Sequence, residues 1–253
     1  MVGKWEGLKD MYDSLQNTGG RFNILELRVP LEHQVEYLLY SFLSRNRRRK
    51  QLNERDYKRF EEKLESADIS RVEKKKIIFK LAMSSEIRAF RLLEKYMQHP
   101  DEELVHWTTM ALMECRIAIE TELSDERQVY ISTGLGGKGE KLRFYVLFMS
   151  SFEKPFADFQ REVMEKEFGY ILPEYDCEIE RLTFKDTYVE LVFLNPVTNN
   201  FHKMLDLVVE ECNLYGNFLS KNFTVTNVKE LNQDEVNQVL KEFKSKKSRS
   251  SSK

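Results

Sequence analysis

Along the first half of the chain, apolar residues recur at spacings of three and four, the period of a helix with one face turned from water. Trp5, Leu8, Met11, Tyr12 and Leu15 define a short helix that stops at Asn17-Thr18-Gly19-Gly20. Phe22 to Val29 reads either as extended chain or as a helix start cut off by Pro30, because the residue before proline is pushed out of the helical region. Leu31, Val35, Leu38, Leu39 and Phe42 mark a second helix. Asn53 caps a third, carrying Tyr57, Phe60 and Leu64, and Ser70-Arg71-Val72-Glu73 has the form of a capping box opening a fourth with Val72, Ile77, Ile78 and Leu81. Ser84 or Ser85 opens a fifth with Ile87, Phe90, Leu93 and Met97. After His99-Pro100-Asp101, a sixth has Leu104, Thr108, Ala111, Cys115 and Ile119 on one face.

The period then changes to two. Gln128 to Ser132 and Leu142 to Met149 are rich in β-branched and aromatic residues and read as strands, with Ser132 to Gly139 between them as the bend of a hairpin. The second strand is apolar on both faces, so it belongs at the centre of a sheet. Pro155 starts a helix with Phe156, Phe159, Val163 and Phe168, ending near Gly169. Glu178 to Phe184 and Tyr188 to Leu194 form a tight hairpin through Lys185-Asp186-Thr187. Phe201, Leu205, Val208, Cys212, Tyr215 and Leu219 follow one helical face, and Phe223 to Val228 is a last strand. Asn232 and Glu235 cap a final helix with Val236, Val239, Leu240 and Phe243 on its apolar face. From Lys244 the chain has no apolar residue, and 245–253 reads as a disordered basic tail.

Two resemblances follow from these elements. The segment Ile87 to Ile117, with Phe90, Leu92, Leu93 and Met97 in one helix, a turn at His99 to Glu103, and Val105, Ala111, Leu112 and Cys115 in the next, resembles a HEAT or armadillo-type repeat within about 70–122. An ordinary α-helical bundle fits the same residues. The order strand, helix, strand, strand, helix, strand from Leu142 to Val228 resembles the ferredoxin-like βαββαβ sandwich. The fold class is therefore α+β: a helical, HEAT-like module at 1–124, then a ferredoxin-like domain at 125–244 with an extra N-terminal hairpin strand and a C-terminal helix.

Composition narrows function only a little. The 253 residues carry a formal charge of −2 although 32% of them are charged, so net charge selects neither nucleic acid nor membrane. Three scattered cysteines, Cys115, Cys177 and Cys212, sit within apolar patterns and read as reduced, buried thiols of a cytoplasmic protein. His33, His99, His106 and His202 lack metal-binding spacing, and no nucleophile motif occurs, so no catalytic residue, metal or cofactor is assigned.

Two stretches remain as candidate contacts. Gly134, Gly136, Gly137, Lys138 and Gly139 form a glycine-rich loop, but a strand and not a helix follows, which excludes a P-loop and a dinucleotide fingerprint. Arg45, Arg47, Arg48, Arg49 and Lys50 form a basic run at the end of the second helix, suited to a phosphate backbone or an acidic partner. The functional expectation is a non-enzymatic adaptor. Its partner would be a protein or ribonucleoprotein complex, with nucleic acid contacted through the basic run and tail, and no membrane. The alternative is a small-molecule or nucleotide-binding enzyme or sensor using the loop at 132–139.

Overall fold

A computed structural model describes residues 21–44, 52–123, 128–152 and 154–250. The chain divides into two compact units, Met1–Gly139 and Glu140–Lys253, so residues 125–139 fall with the helical unit. The helix read from Trp5 to Leu15 and the basic run Arg45 to Lys50 lie outside the described residues.

The first unit consists of strand β1 (Arg21–Ile24), helices α1 (Leu31–Ser44), α2 (Glu54–Glu65), α3 (Arg71–Ser84) and α4 (Ile87–Gln98), a single 3₁₀ turn, helix α5 (Val105–Leu123), strand β2 (Gln128–Ile131) and the two-residue strand β3 (Gly137–Lys138). The Phe22 to Val29 segment thus begins extended. Asn53 caps α2 reciprocally: its side chain accepts from the Arg55 and Asp56 amides while Asp56 accepts from its own amide. At α3 only half of the expected box forms. Ser70 accepts from the Glu73 amide, but the Glu73 carboxylate turns to Lys63 instead of the cap.

The core of this unit gathers around α5, whose Leu104-side end and centre bury Trp107, Met110, Ala111 and Cys115 against Tyr37, Ile78, Leu81 and Leu93. Trp107 stacks edge-on to Tyr37 at 4.9 Å and donates to the Lys75 carbonyl at 3.1 Å, which satisfies its buried N–H.

Helix α1 turns its apolar stripe outward: Leu31, Val35, Leu38, Leu39 and Phe42 are exposed, and Gln34, Tyr37 and Ser41 are the buried residues. Specific hydrogen bonds hold the polar face inward. Tyr37 and Ser41 hydroxyls donate to the two Glu114 carboxylate oxygens at 2.7 and 2.8 Å, and Gln34 donates to the carbonyls of Val29 and Thr133. Periodicity identifies two faces but cannot say which one meets the chain's own core.

The expected hairpin between β2 and the long strand does not form. β2 pairs in parallel with β1 in the register Arg21 to Gln128 through Ile24 to Ile131, and the Leu25 amide extends the ladder to the Ile131 carbonyl. Gly136 explains why the segment settles here. Its φ is +65°, and a Cβ at this position would lie 2.6 Å from the Glu26 carbonyl oxygen and 2.9 Å from those of Leu25 and Leu27. Only glycine allows that approach.

The second unit contains β4 (Lys141–Ser150), α6 (Asp158–Glu174), β5 (Glu178–Phe184), β6 (Tyr188–Pro196), α7 (Phe201–Asn213), β7 (Leu219–Thr226) and α8 (Gln233–Ser250). The strands lie antiparallel in the order β5-β6-β4-β7, which is the ferredoxin-like arrangement. β4 is central, as its doubly apolar pattern requires. Phe144 meets Phe201 of α7 at 4.5 Å and Phe148 meets Phe168 of α6 at 5.1 Å, so even-numbered residues of β4 face those helices. On the opposite face, Tyr188, paired with Met149 across β6 and β4, donates to Gln233 of α8.

Several boundaries move from their sequence positions. α6 passes through Gly169 and ends at Glu174. α7 stops at Asn213, because Gly216 and Asn217 take positive φ and Asn213 bridges Leu219 in both directions at 2.8 Å. Leu219 therefore opens β7; its helical spacing from Cys212 is coincidental. α8 continues to Ser250 where a disordered tail was expected, since a reciprocal Asn232–Glu235 cap starts it and lysine and arginine are good helix formers. Residues 251–253 lie outside the described residues.

The glycines separate strain from space. Gly136→Ala should cost about 2–4 kcal/mol through both a positive φ and a backbone clash. Gly139→Ala, at φ +58° with open space around it, should cost about 1 kcal/mol. Gly169→Ala, in open space on α6, should stabilise by about 0.5–1 kcal/mol. Urea unfolding midpoints of the three variants test this order.

Candidate nucleic-acid interface

The glycine-rich segment is a packed joint. Gly134, Gly136 and Gly137 are buried together with Leu135, while Lys138 and Gly139 are exposed. The Gly136 amide donates to the Thr133 carbonyl, and the Gly139 amide donates to the Glu26 carboxylate at 3.2 Å. A carboxylate of the chain itself therefore occupies the place where an anion would meet the Gly139 amide. Chain and helix geometry agree with the exclusion of a P-loop, because Lys138 lies in β3 and no helix begins there.

A different basic surface emerges between α2 and α3, where a groove of about 450 Å³ is lined by Arg59, Lys63, Lys76 and Lys80 around a floor of Phe60 and Ile77. Arg59 and Lys63 are one turn apart on α2; Lys76 and Lys80 are one turn apart on α3. Ser70, Val72 and Glu73 close one end, so the first turn of α3 opens on the groove. Amide groups at that end favour negative charge.

The neighbouring cations of α3 are committed elsewhere. Arg71 pairs with Glu103, Lys75 pairs with Glu36 and lies 4.5 Å above the Trp107 ring, and Lys74, itself buried, pairs with Asp101 at 2.8 Å. Tyr96 also donates to Asp101, completing the carboxylate's shell. Lys76 and Lys80 are exposed and hold no ion pair among the described residues. Within the groove the acid is Glu73. Its carboxyl is held below the usual range, first by the hydrogen bond and charge of Lys63 and then by Lys76 and Lys80, so it stays ionised and pairs with Lys63. Arg59 pairs with Asp56 at 3.0 Å one turn earlier on α2, which leaves Lys76 and Lys80 as the two groove cations with no ion pair among the described residues.

Sequence reading missed this groove. The signal was present as two pairs of cations at i and i+4, on α2 and α3, whose shared exposure depends on how those helices pack.

A second cavity of about 280 Å³ lies in the other unit, lined by Met149, Ser150, Thr187, Asn237, Leu240 and Phe243 with Lys241 and Lys244 at α8. It holds no cluster of titratable groups suited to chemistry. Among the described residues no group of three or more His, Cys, Asp or Glu stands where it could hold a metal. His33 and His106 stack at 4.8 Å, and burial, then His33, depress the His106 pKa. No helix of the described residues is long and apolar enough to cross a membrane.

No family model and no curated protein matches this sequence. Solved structures similar to it include the following two. One, a "putative transposase" from Deinococcus radiodurans R1, has a TM-score of 0.36 and 16% identity over 42% of this chain and 93% of that one. The other, a REP-associated tyrosine transposase bound to a REP hairpin, has a TM-score of 0.32 and 10% identity over 43% of this chain and 64% of that one, somewhat under two thirds of its length. Likeness at this level transfers no activity. It does correct the functional expectation: these neighbours carry transposase descriptions and are not helical-repeat adaptors. The adaptor reading, with its HEAT-like and protein–protein interaction labels, is withdrawn, and so is the loop-based nucleotide enzyme.

The three cysteines are all enclosed. Cys115, Cys177 and Cys212 are free and buried, and burial pushes each thiol up to about 12. At about pH 8 a thiol reagent should label none of them in the folded chain and all of them in urea. The raised values also set a sign. Below about pH 8.5, where an unfolded thiol stays protonated, their contribution to stability is complete; it is lost as pH climbs toward about 12, because the unfolded chain releases protons first. Urea midpoints should fall steadily above about pH 9.

Proposed function

We propose that this protein binds nucleic acid by its phosphate backbone, with the groove between α2 and α3 as the contact surface. The observation that carries the reading is the arrangement of Arg59, Lys63, Lys76 and Lys80 around a concave wall in which Glu73 is the acid. Phosphates spaced along a strand can each meet one cation, and the first turn of α3 adds favourable backbone dipoles. The groove offers charge and an apolar floor but no fork of side chains aimed at a base edge. Binding is accordingly independent of sequence and steeply dependent on salt. The basic run Arg45 to Lys50, which lies outside the described residues, adds five cations to the same unit by sequence.

The test is fluorescence anisotropy with a labelled DNA hairpin and with a single-stranded RNA of equal length. At about 50 mM salt the intact chain should bind both in the micromolar range, weakening by orders of magnitude toward about 200 mM. Lys76→Glu with Lys80→Glu should weaken both probes by about tenfold or more and reduce the salt slope by about 2. Lys166→Glu on exposed α6 should change neither. Binding that survives the double substitution, or no binding at low salt, would overturn the assignment.

A further inference from the structure

The outer face of α1 is an apolar surface with no cover among the described residues. Leu31, Val35, Leu38, Leu39, Phe42 and Leu43 follow the i, i+4, i+7, i+8, i+11, i+12 progression of one helical stripe, and each is between 47% and 72% exposed. Leu27, just upstream, is exposed as well. Isolated surface leucines need no explanation, but six on one stripe leave on the order of 600 Å² bare, the upper end of what a monomer leaves in one patch.

We infer that this face is the contact between two copies of the chain, with the two α1 helices crossing antiparallel near Leu38 and Leu39. Area is the first argument. Two such stripes laid together bury on the order of 1,200 Å², which reaches the range of a stable interface, and a contact related by a twofold axis needs one self-complementary patch. The helix dipoles are the second, since the antiparallel arrangement opposes them. Firm seating of the inner face completes the case. Gln34, Tyr37 and Ser41 are fixed by hydrogen bonds, so α1 cannot rotate its stripe into its own core without breaking them.

Sedimentation velocity on the full chain decides. The intact protein should run as a dimer at micromolar concentration. Leu39→Glu should raise the dissociation constant by about a hundredfold or more, since a twofold contact counts each substitution twice. Its circular dichroism should stay that of the intact chain, since Leu39 is 57% exposed, and its urea midpoint should match the value the intact chain approaches on dilution below its dimer dissociation constant. A monomer at about 100 µM overturns the inference. So does a monomer that dimerises only after deletion of residues 1–20, which would give the face to the chain's own N-terminus, and so does a monomer that sediments with anionic lipid vesicles through this face. Nucleic-acid binding by the groove is read separately, so either proposal can fail alone.

Discussion

Glu114 decides which way the first unit faces. Its two carboxylate oxygens receive the Tyr37 and Ser41 hydroxyls, three residues having to meet for both bonds to exist. Burial and the Glu114 charge together keep the Tyr37 phenol protonated, since an anion there would face both desolvation and a like charge. An ionised acceptor paired with two hydroxyls makes stronger bonds than neutral partners would, and removing it would strand two donors under the helix. That penalty holds the polar side of α1 against α5 although its opposite side is the more hydrophobic. From the same face Gln34 reaches the carbonyls of Val29 and Thr133, which ties the β1 exit to the β2 exit. The helix orientation and the parallel β1–β2 pairing are therefore one constraint expressed twice.

What the sequence made legible was whatever local chemistry determines. The cap at Asn53, the central position of β4 and the order of elements from β4 to β7 all follow from residues within a few positions of one another or from simple alternation. Misread features depend on a partner distant in the chain. β2 was paired with its neighbour in sequence, but Gly136 requires the carbonyls of residues 25–27 beside it, more than a hundred positions earlier. Leu219 kept helical spacing from Cys212, and the Asn213 side chain overruled it by bonding both the amide and the carbonyl of Leu219. α1 shows the limit of periodicity, because amphipathicity reports a wish to be covered without naming the cover.

The same distinction separates useful from ornamental charge. Arg71, Lys74, Lys75, Lys76 and Lys80 look equivalent in one helix, yet burial and neighbouring acids sort them. Lys74 is buried and paired with Asp101, whose own carboxyl is held low first by that lysine. Arg71 and Lys75 join α3 to other parts of the unit by surface pairs, each of small energetic weight.

Lys76 and Lys80 are left with neither task, and at the groove they meet Arg59 and Lys63 from α2. Asp56 pairs with Arg59 and Glu73 with Lys63, so the repulsion left in the concavity centres on Lys76 and Lys80. Exchange of either lysine for a neutral residue would relieve it. A polyanion relieves it in another way, by replacing cation–cation repulsion with attraction and releasing its own counterions. The groove is thus a place where the folded chain is electrostatically incomplete by itself, just as the outer stripe of α1 is incomplete in apolar contact.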